Sequence, residues 1–156
     1  VDKVRSALDK AGLIASQLEV EITEGVLLED SHRTLRTLEG LRSLGVKVAL
    51  DDFGTGYSSL SYLTRFPFTT LKIDRCFITD SVKNAQSGAI VHTTIDLCRH
   101  LNLEVVAEGV ELEEELRFLM KHHCDLIQGF YFSPALDRIA SRITCGKNLG
   151  WISFPI

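Results

Sequence analysis

Two adjacent carboxylates at the end of an apolar run are the residues of this chain best suited to chemistry. Asp51 and Asp52 follow the apolar stretch 46–50, and Gly54 and Gly56 come shortly after them. Neighbouring like charges repel each other, so such a pair needs strong solvation or a shared cation. The pattern predicts either a metal site at the end of a strand or an Asx-type turn that only stops the strand.

Other polar residues lie at the ends of the remaining predicted strands. The hydrophobic pattern predicts strands over residues 18–22, 46–50, 70–74, 104–107 and 126–130. Glu21, Lys72, Glu108 and Gln128 lie at or near the carboxyl ends of four of them. Because ligands bind at that edge of a parallel sheet, we expect these side chains to form one site with the Asp pair.

Helical patterns separate the strands and determine the expected fold class. They cover residues 4–11, 31–44, 58–63, 86–101 and the region around 112–120. Gly45 is expected to end the second helix. Ile90, Val91, Ile95, Cys98 and Leu101 are expected to face inward on the fourth. The alternation predicts an α/β fold of about five parallel strands with crossover helices. A doubly wound open sheet and part of a (β/α)8 barrel both fit this pattern.

The chemistry follows from the types of donor. Carboxylates without Cys or His select Mg²⁺ or Mn²⁺ over zinc, and adjacent acids can serve two ions during phosphodiester hydrolysis. Lys72 would then orient the water or the phosphate, and Glu108 would accept a proton from the water. Structural alternatives stay open: Glu21 in a buried ion pair, Glu108 as a helix cap, and Gln128 as a backbone hydrogen-bonder.

Composition limits the class of protein. The chain has 156 residues, of which 45% are apolar, and a net charge of −4, which suits one globular domain and argues against a binder of duplex nucleic acid. No apolar stretch is long enough to span a membrane.

The four cysteines are widely spaced and suggest reduced thiols in the cytoplasm. The His122-His123 pair is expected to be solvated. Without a signal core or an initiator Met, the chain is expected to be a piece of a longer cytoplasmic protein.

The order of these motifs resembles that of the EAL domain family of bacterial cyclic di-GMP phosphodiesterases. The resemblance rests on Glu21-Ile22-Thr23-Glu24, Asp51-Asp52-Phe53-Gly54-Thr55-Gly56-Tyr57-Ser58-Ser59-Leu60, Lys72-Ile73-Asp74-Arg75, Val105-Val106-Ala107-Glu108-Gly109-Val110-Glu111 and Gln128-Gly129-Phe130-Tyr131-Phe132-Ser133-Pro134. It implies a modified TIM barrel that opens cyclic di-GMP to linear pGpG with Mg²⁺ or Mn²⁺.

The resemblance also implies a role for each matching residue. Glu21, Asp51 and Asp52 correspond to metal ligands, with Asp51 as the bridge. Lys72 and Glu108 correspond to the pair that positions and activates water. Asp74 and Gln128 correspond to residues that support the site and contact the substrate. Glu24 corresponds to the anchor of the loop at residues 53–59, which in the family couples catalysis to dimerisation.

The chain also departs from the family pattern. The Glu-Ala-Leu triplet and the metal-binding Asn of the next strand are absent from this sequence. A full barrel needs about 250 residues. We therefore expect residues 1–136 to be the C-terminal part of an EAL domain and 137–156 a tail of uncertain structure.

Three hypotheses about function follow. The first is a phosphodiesterase that is impaired in this chain, with open strand edges that favour a homodimer or a domain-swapped oligomer. A sensory or GGDEF-type domain would belong to the same protein. The second is a non-catalytic module that binds cyclic di-GMP or a protein. The third, a phospho-receiver domain, fits the order of the motifs poorly.

Overall fold

The computed structural model describes residues 1–29, 31–54, 60–134 and 152–153. The chain divides into two compact units, Val1–Leu71 and Lys72–Ile156. The boundary falls inside one strand, β3, which spans Thr70–Ile73. The predicted tail at 137–156 lies outside the described residues except for 152–153.

The first unit contains two paired strands with helices before, between and after them. Strands β1 (Glu19–Thr23) and β2 (Lys47–Phe53) pair in parallel, with Glu19 opposite Lys47 and Thr23 opposite Asp51. The helices of this unit are α1 (Asp2–Ala11), a 3₁₀ turn (Ala15–Gln17), α2 (Glu24–Glu29), α3 (Ser31–Leu44) and α4 (Leu60–Arg65).

The end of α3 sets the entry into β2. Leu38 and Leu41 are the buried residues of α3. Gly45 has φ 92° and ends the helix as predicted, while the Val46 N–H donates to the Leu41 carbonyl. Val48, Ala49 and Leu50 then run through the core with at most 2% exposure, which fixes the strand that carries the Asp pair.

The second unit repeats the alternation of strands and helices. Strand β4 (Glu104–Ala107) pairs in parallel with β5 (Leu126–Ile127), and β5 pairs antiparallel with β6 (Ile152–Ser153). The helices of this unit are α5 (Arg75–Ser81), α6 (Ala85–Leu101) and α7 (Glu113–Lys121). Parallel strands joined by helices confirm the predicted α/β class.

Three sequence predictions were wrong in detail. Strand β5 ends at Ile127, short of the predicted residue 130. Strand β2 does not stop at Leu50 but continues through Asp51 and Asp52 to Phe53. Ile90 was expected to face inward yet is 51% exposed, because Val91, Ile95 and Cys98 already form the buried stripe of α6. Ile90 precedes Val91 by about 100° of helical rotation and therefore faces solvent.

The helices were compared with the length and composition of a membrane span. None of those in the described ranges combines the length and the apolar composition that a membrane crossing needs.

Candidate functional site

Two acids of the first unit, Glu21 and Asp51, share one face of the β1–β2 pair. Glu21 lies opposite Ala49, and Thr23 lies opposite Asp51. Side chains alternate along a strand, and paired residues of parallel strands point to the same side. Glu21 and Asp51 are therefore on one face at the carboxyl ends of these strands. Glu21 is exposed and Asp51 is half-buried, so both carboxylates lie where a ligand can approach.

Asp52 has an unusual backbone conformation. Its φ is 54°, in the left-handed region, and its N–H donates to Oδ1 of Asp51 at 3.0 Å. Asp tolerates this region better than most residues do, but it remains uncommon outside glycine. Backbone strain of this kind is concentrated at functional sites. The turn away from regular strand geometry therefore changes the direction in which the second carboxylate points.

The donor chemistry of this group suits a hard divalent cation. Glu21, Asp51 and Asp52 offer only carboxylate oxygens, which Mg²⁺ and Mn²⁺ prefer. Within the described ranges, however, no three His, Cys, Asp or Glu side chains lie close enough together to hold an ion. The described acids therefore fit a metal in donor type, and their role as ligands stays a prediction.

Glu24 connects the end of β1 with the end of β2. It begins α2, is only 7% exposed, and its Oε1 accepts a hydrogen bond from the Gly54 N–H at 3.2 Å. Gly54 has φ 96° and follows the last residue of β2. Glu24 thus contacts Gly54, and its role as the anchor of residues 53–59 stays a prediction. Residues 55–59 of that segment lie outside the described ranges.

Replacing Glu24 by Ala is expected to lower the free energy of unfolding by about 1–3 kcal/mol, because a buried acceptor for the Gly54 N–H is lost. Urea titration of the 156-residue chain measures the change. The control is Glu39→Ala, an exposed acid of α3, which should change stability by less than about 0.5 kcal/mol. Equal stability of the two variants would contradict the anchoring role.

The second unit contains a close ion pair between two predicted site residues. Lys72 Nζ lies 2.6 Å from Glu108 Oε1, and the two side chains are 8% and 22% exposed. Lys72 is on β3 between the buried residues Leu71 and Ile73, and Glu108 directly follows β4. The Glu108 N–H also donates to the Ile73 carbonyl at 3.1 Å. A pair this buried is restricted to one geometry.

A backbone ladder extends the β4–β5 pair beyond its last residues. The Gln128 N–H donates to the Ala107 carbonyl at 2.8 Å, and the Val110 N–H donates to the Gln128 carbonyl at 3.1 Å. The Tyr131 N–H then donates to the Val110 carbonyl at 2.9 Å. Gly129 lies so close to Val110 that a Cβ would overlap the Val110 backbone N and O. This ladder fixes the turn after Glu108 and brings the exposed Gln128 beside it.

Asp74 has a clear local role. It is the N-cap of α5, and its Oδ1 accepts a hydrogen bond from the Cys76 N–H at 2.9 Å. Hydrogen bonding from the Cys76 side chain, followed in size by the opposing effect of burial, leaves the pKa of Asp74 below its usual value. Sequence reasoning did not identify this cap, although an Asp before a helix is a known signal. Its predicted contact with substrate stays a prediction, as does that of Gln128.

The cysteines and histidines contribute no ligand cluster in the described ranges. Cys76, Cys98 and Cys124 are free thiols. Burial raises the pKa of Cys98 and of Cys124 to about 12, which keeps both protonated. His122 stacks near His92, with ring centroids 4.2 Å apart, and its pKa is lowered, mainly by burial and then by the neighbouring His92.

The fold and these residues define a class of protein. Parallel strands joined by helices, with acids and a Lys–Glu pair at the strand ends, are typical of TIM-barrel-type enzymes. The family model described as the EAL domain matches residues 1–135. The chain belongs to the EAL domain family.

Individual relatives agree with this assignment. The chain is 49% identical over 140 residues to the cyclic di-GMP phosphodiesterase NbdA of Pseudomonas aeruginosa, covering 90% of this chain and 18% of NbdA. It is 45% identical over 144 residues to the bifunctional diguanylate cyclase/cyclic di-GMP phosphodiesterase MucR of the same species, covering 90% of this chain and 21% of MucR. The chain thus spans about a fifth of the length of these relatives.

Solved structures give the same family and fold. The structure of the MucR phosphodiesterase in complex with c-di-GMP matches with a TM-score of 0.84 and 43% identity, covering 90% of this chain and 57% of that one. A manganese and cyclic di-GMP complex of Klebsiella pneumoniae BlrP1 matches with a TM-score of 0.81 and 38% identity, covering 85% and 34%. Of the two architectures left open by the sequence, the barrel is therefore supported.

Proposed function

We propose that this chain belongs to a phosphodiesterase that hydrolyses cyclic di-GMP to linear pGpG with a divalent metal ion. The observation that carries the proposal is the 2.6 Å pair between Lys72 and Glu108. A carboxylate held against a nearly buried ammonium at the end of a parallel strand is suited to proton transfer at a phosphate. Phosphodiesterases among the relatives support the choice of substrate.

The residues of this chain have separate tasks in the reaction. Glu108 accepts a proton from a water molecule as the water oxygen bonds to phosphorus, and the phosphorus–oxygen bond to the leaving ribose oxygen breaks. That ribose oxygen takes up a proton from solvent and gives the linear product, and Glu108 releases its proton to solvent. The ammonium of Lys72 orients the water and offsets negative charge on the phosphate oxygens. Gln128 and Asp74 are proposed to contact or support the substrate.

Glu21, Asp51 and Asp52 are proposed to hold Mg²⁺ or Mn²⁺, with Asp51 as the shared ligand. Two bound ions would supply a more acidic water and stabilise charge on the attacking and leaving oxygens. The BlrP1 complex with manganese and cyclic di-GMP supports a divalent ion. The carboxylate-only donor set in turn supports Mg²⁺ or Mn²⁺ over zinc.

The direct test is product analysis. Cyclic di-GMP is incubated with the 156-residue chain, and with any longer protein that contains it, in the presence of Mg²⁺, Mn²⁺ or EDTA. We expect pGpG to appear by chromatography with Mg²⁺ or Mn²⁺ and to disappear with EDTA. Metal-independent cleavage, or no cleavage by the longer protein, would contradict the proposal.

A second candidate is a non-catalytic receptor for cyclic di-GMP. The observation that favours it is the incomplete ligand set, since no three potential ligands converge in the described ranges. Calorimetric titration with cyclic di-GMP, with and without Mg²⁺, separates the two functions. Tight binding without pGpG formation would identify the receptor.

We also propose a domain context, a location and an assembly for the protein that contains this chain. The bifunctional nature of MucR supports a regulatory or GGDEF-type domain in the same protein. We further propose a cytoplasmic location, in keeping with the free thiols, and a homodimer or domain-swapped assembly. Size-exclusion chromatography with light scattering measures the assembly.

A further inference from the structure

We propose that Arg75 is a positioning residue for the Lys72–Glu108 pair, an inference that rests on the proposed function. Arg75 is the first residue of α5 and follows Lys72 by three positions. It contacts the turn at residues 108–111 through its aliphatic stem and through its guanidinium group. These two contacts hold the turn that carries Glu108 against the start of α5, three residues after Lys72.

The stem of Arg75 lies directly on Gly109. Gly109 has φ 70°, and a Cβ built on it would lie 2.5 Å from Cγ and 2.6 Å from Cβ of Arg75. These separations are well inside van der Waals contact, so only glycine lets the backbone approach this closely. The residue immediately after Glu108 thus packs directly against the side chain of Arg75.

The guanidinium group holds the other end of the turn. Arg75 Nη2 lies 2.9 Å from Glu111 Oε1, with 57% and 36% of the two side chains exposed. The Glu111 N–H donates to Oε2 of Glu115 at 2.9 Å, and Glu115 is only 1% exposed. Glu111 is therefore fixed on its backbone by a buried acid. An exposed ion pair contributes little to the free energy of unfolding. The main effect of this contact is therefore on the position of Glu111.

The contacts of Arg75 add to others that join the same two segments of the chain. Residues 72–75 and 108–111 meet through the ion pair itself and through the hydrogen bond from the Glu108 N–H to the Ile73 carbonyl. Arg75 adds its contacts with Gly109 and Glu111 to these two. Without its side chain the turn after Glu108 loses support on that side. A displacement of about 1 Å in a catalytic group can cost up to a hundredfold in rate.

Three variants separate the two contacts. Arg75→Ala removes both, Arg75→Met keeps only the stem on Gly109, and Arg75→Lys keeps the stem and the charge. The matched control is Arg117→Ala, which removes an exposed 2.6 Å pair with Glu113 elsewhere in the same unit.

For cyclic di-GMP hydrolysis by the longest active form, Arg75→Ala should lower kcat about tenfold. KM should change by less than about twofold, because Arg75 acts through Glu108 and not on the substrate.

Arg75→Met should lose less activity than Arg75→Ala, and Arg75→Lys should recover most of it. A second readout, hydrogen exchange of the Glu108 and Val110 amides, is measured in the 156-residue chain. Both amides should exchange faster in Arg75→Ala than in wild type or Arg117→Ala. If Arg75→Ala matches Arg117→Ala in kcat and in exchange, the proposal is overturned, as it is if KM alone changes.

The two readouts distinguish failure of this inference from failure of the proposed function. If wild type forms no pGpG under any metal condition, the proposed function fails and exchange alone decides the positioning role. Faster exchange in Arg75→Ala then supports the role, and unchanged exchange overturns it. If Arg75→Ala does not fold, Arg75→Met is compared with Arg117→Ala by the same criteria.

Discussion

Replacing Glu108 by Gln is expected to lower kcat for cyclic di-GMP hydrolysis by about 10²–10⁴-fold, the usual contribution of a general base. The amide keeps the shape of the side chain but cannot take a proton from water. Lys72 would also lose the carboxylate oxygen that lies 2.6 Å from its ammonium. The free energy of unfolding should therefore fall by about 3 kcal/mol, the low end for a broken buried pair, since Glu108 is partly exposed.

A double variant separates catalysis from stability. Lys72→Met combined with Glu108→Leu replaces the pair by apolar side chains, which is often neutral for stability. We expect near wild-type unfolding in urea and no recovery of hydrolysis. Glu113→Gln is the control, since it breaks only an exposed pair with Arg117 and should change stability by less than about 0.5 kcal/mol. A Glu108→Gln enzyme with at least about a tenth of wild-type kcat would rule out the role of general base.

Gly129→Ala is expected to lower the free energy of unfolding by about 3 kcal/mol, at the upper end for overpacking. The added Cβ would overlap the backbone of Val110, and a backbone that is hydrogen-bonded on both sides cannot move aside cheaply. The ladder between Val110 and Gln128 should open, which hydrogen exchange of the Val110 amide would reveal. Urea titration gives the stability change.

Gly25→Ala is the matched control for this substitution. Gly25 lies in α2, and a Cβ added there meets nothing within 4 Å. Alanine favours a helix, so this variant should be neutral or more stable by up to about 1 kcal/mol. If Gly129→Ala proved as stable as Gly25→Ala, the close approach to Val110 would not constrain position 129.

Sequence reasoning placed the strands along the chain well because apolar runs alternate sharply with polar residues. The stretch that precedes Asp51 is an uninterrupted apolar run apart from Lys47, and Lys72 lies between two buried apolar residues. A lysine and a glutamate at the ends of β3 and β4 could be assigned to one site from topology alone. Their direct 2.6 Å contact depends on side-chain geometry that no local pattern encodes.

The features missed by sequence reasoning depend on short elements or on distant contacts. Helices α2 and α5 span six and seven residues, too short for a clear periodicity. The extension of β2 through Asp52 was missed because two acids favour a turn in sequence terms. The contact of Arg75 with Gly109 joins residues that are far apart in the chain. Only the tertiary fold shows why position 109 must be glycine.

The backbone ladder after β4 and β5 also determines which substitutions this region can accept. It uses the main-chain N–H groups of Val110, Gln128 and Tyr131, so proline is excluded at all three positions, whatever its effect on the active site. At Gly109 and Gly129 an added Cβ would overlap neighbouring atoms, so any other residue there is destabilising. By contrast, the side chain of Tyr131 is exposed and takes no part in the ladder. Tolerance at this edge of the fold is thus set by the main chain, so a conservative change at a glycine can be more harmful than a radical change at an exposed aromatic residue.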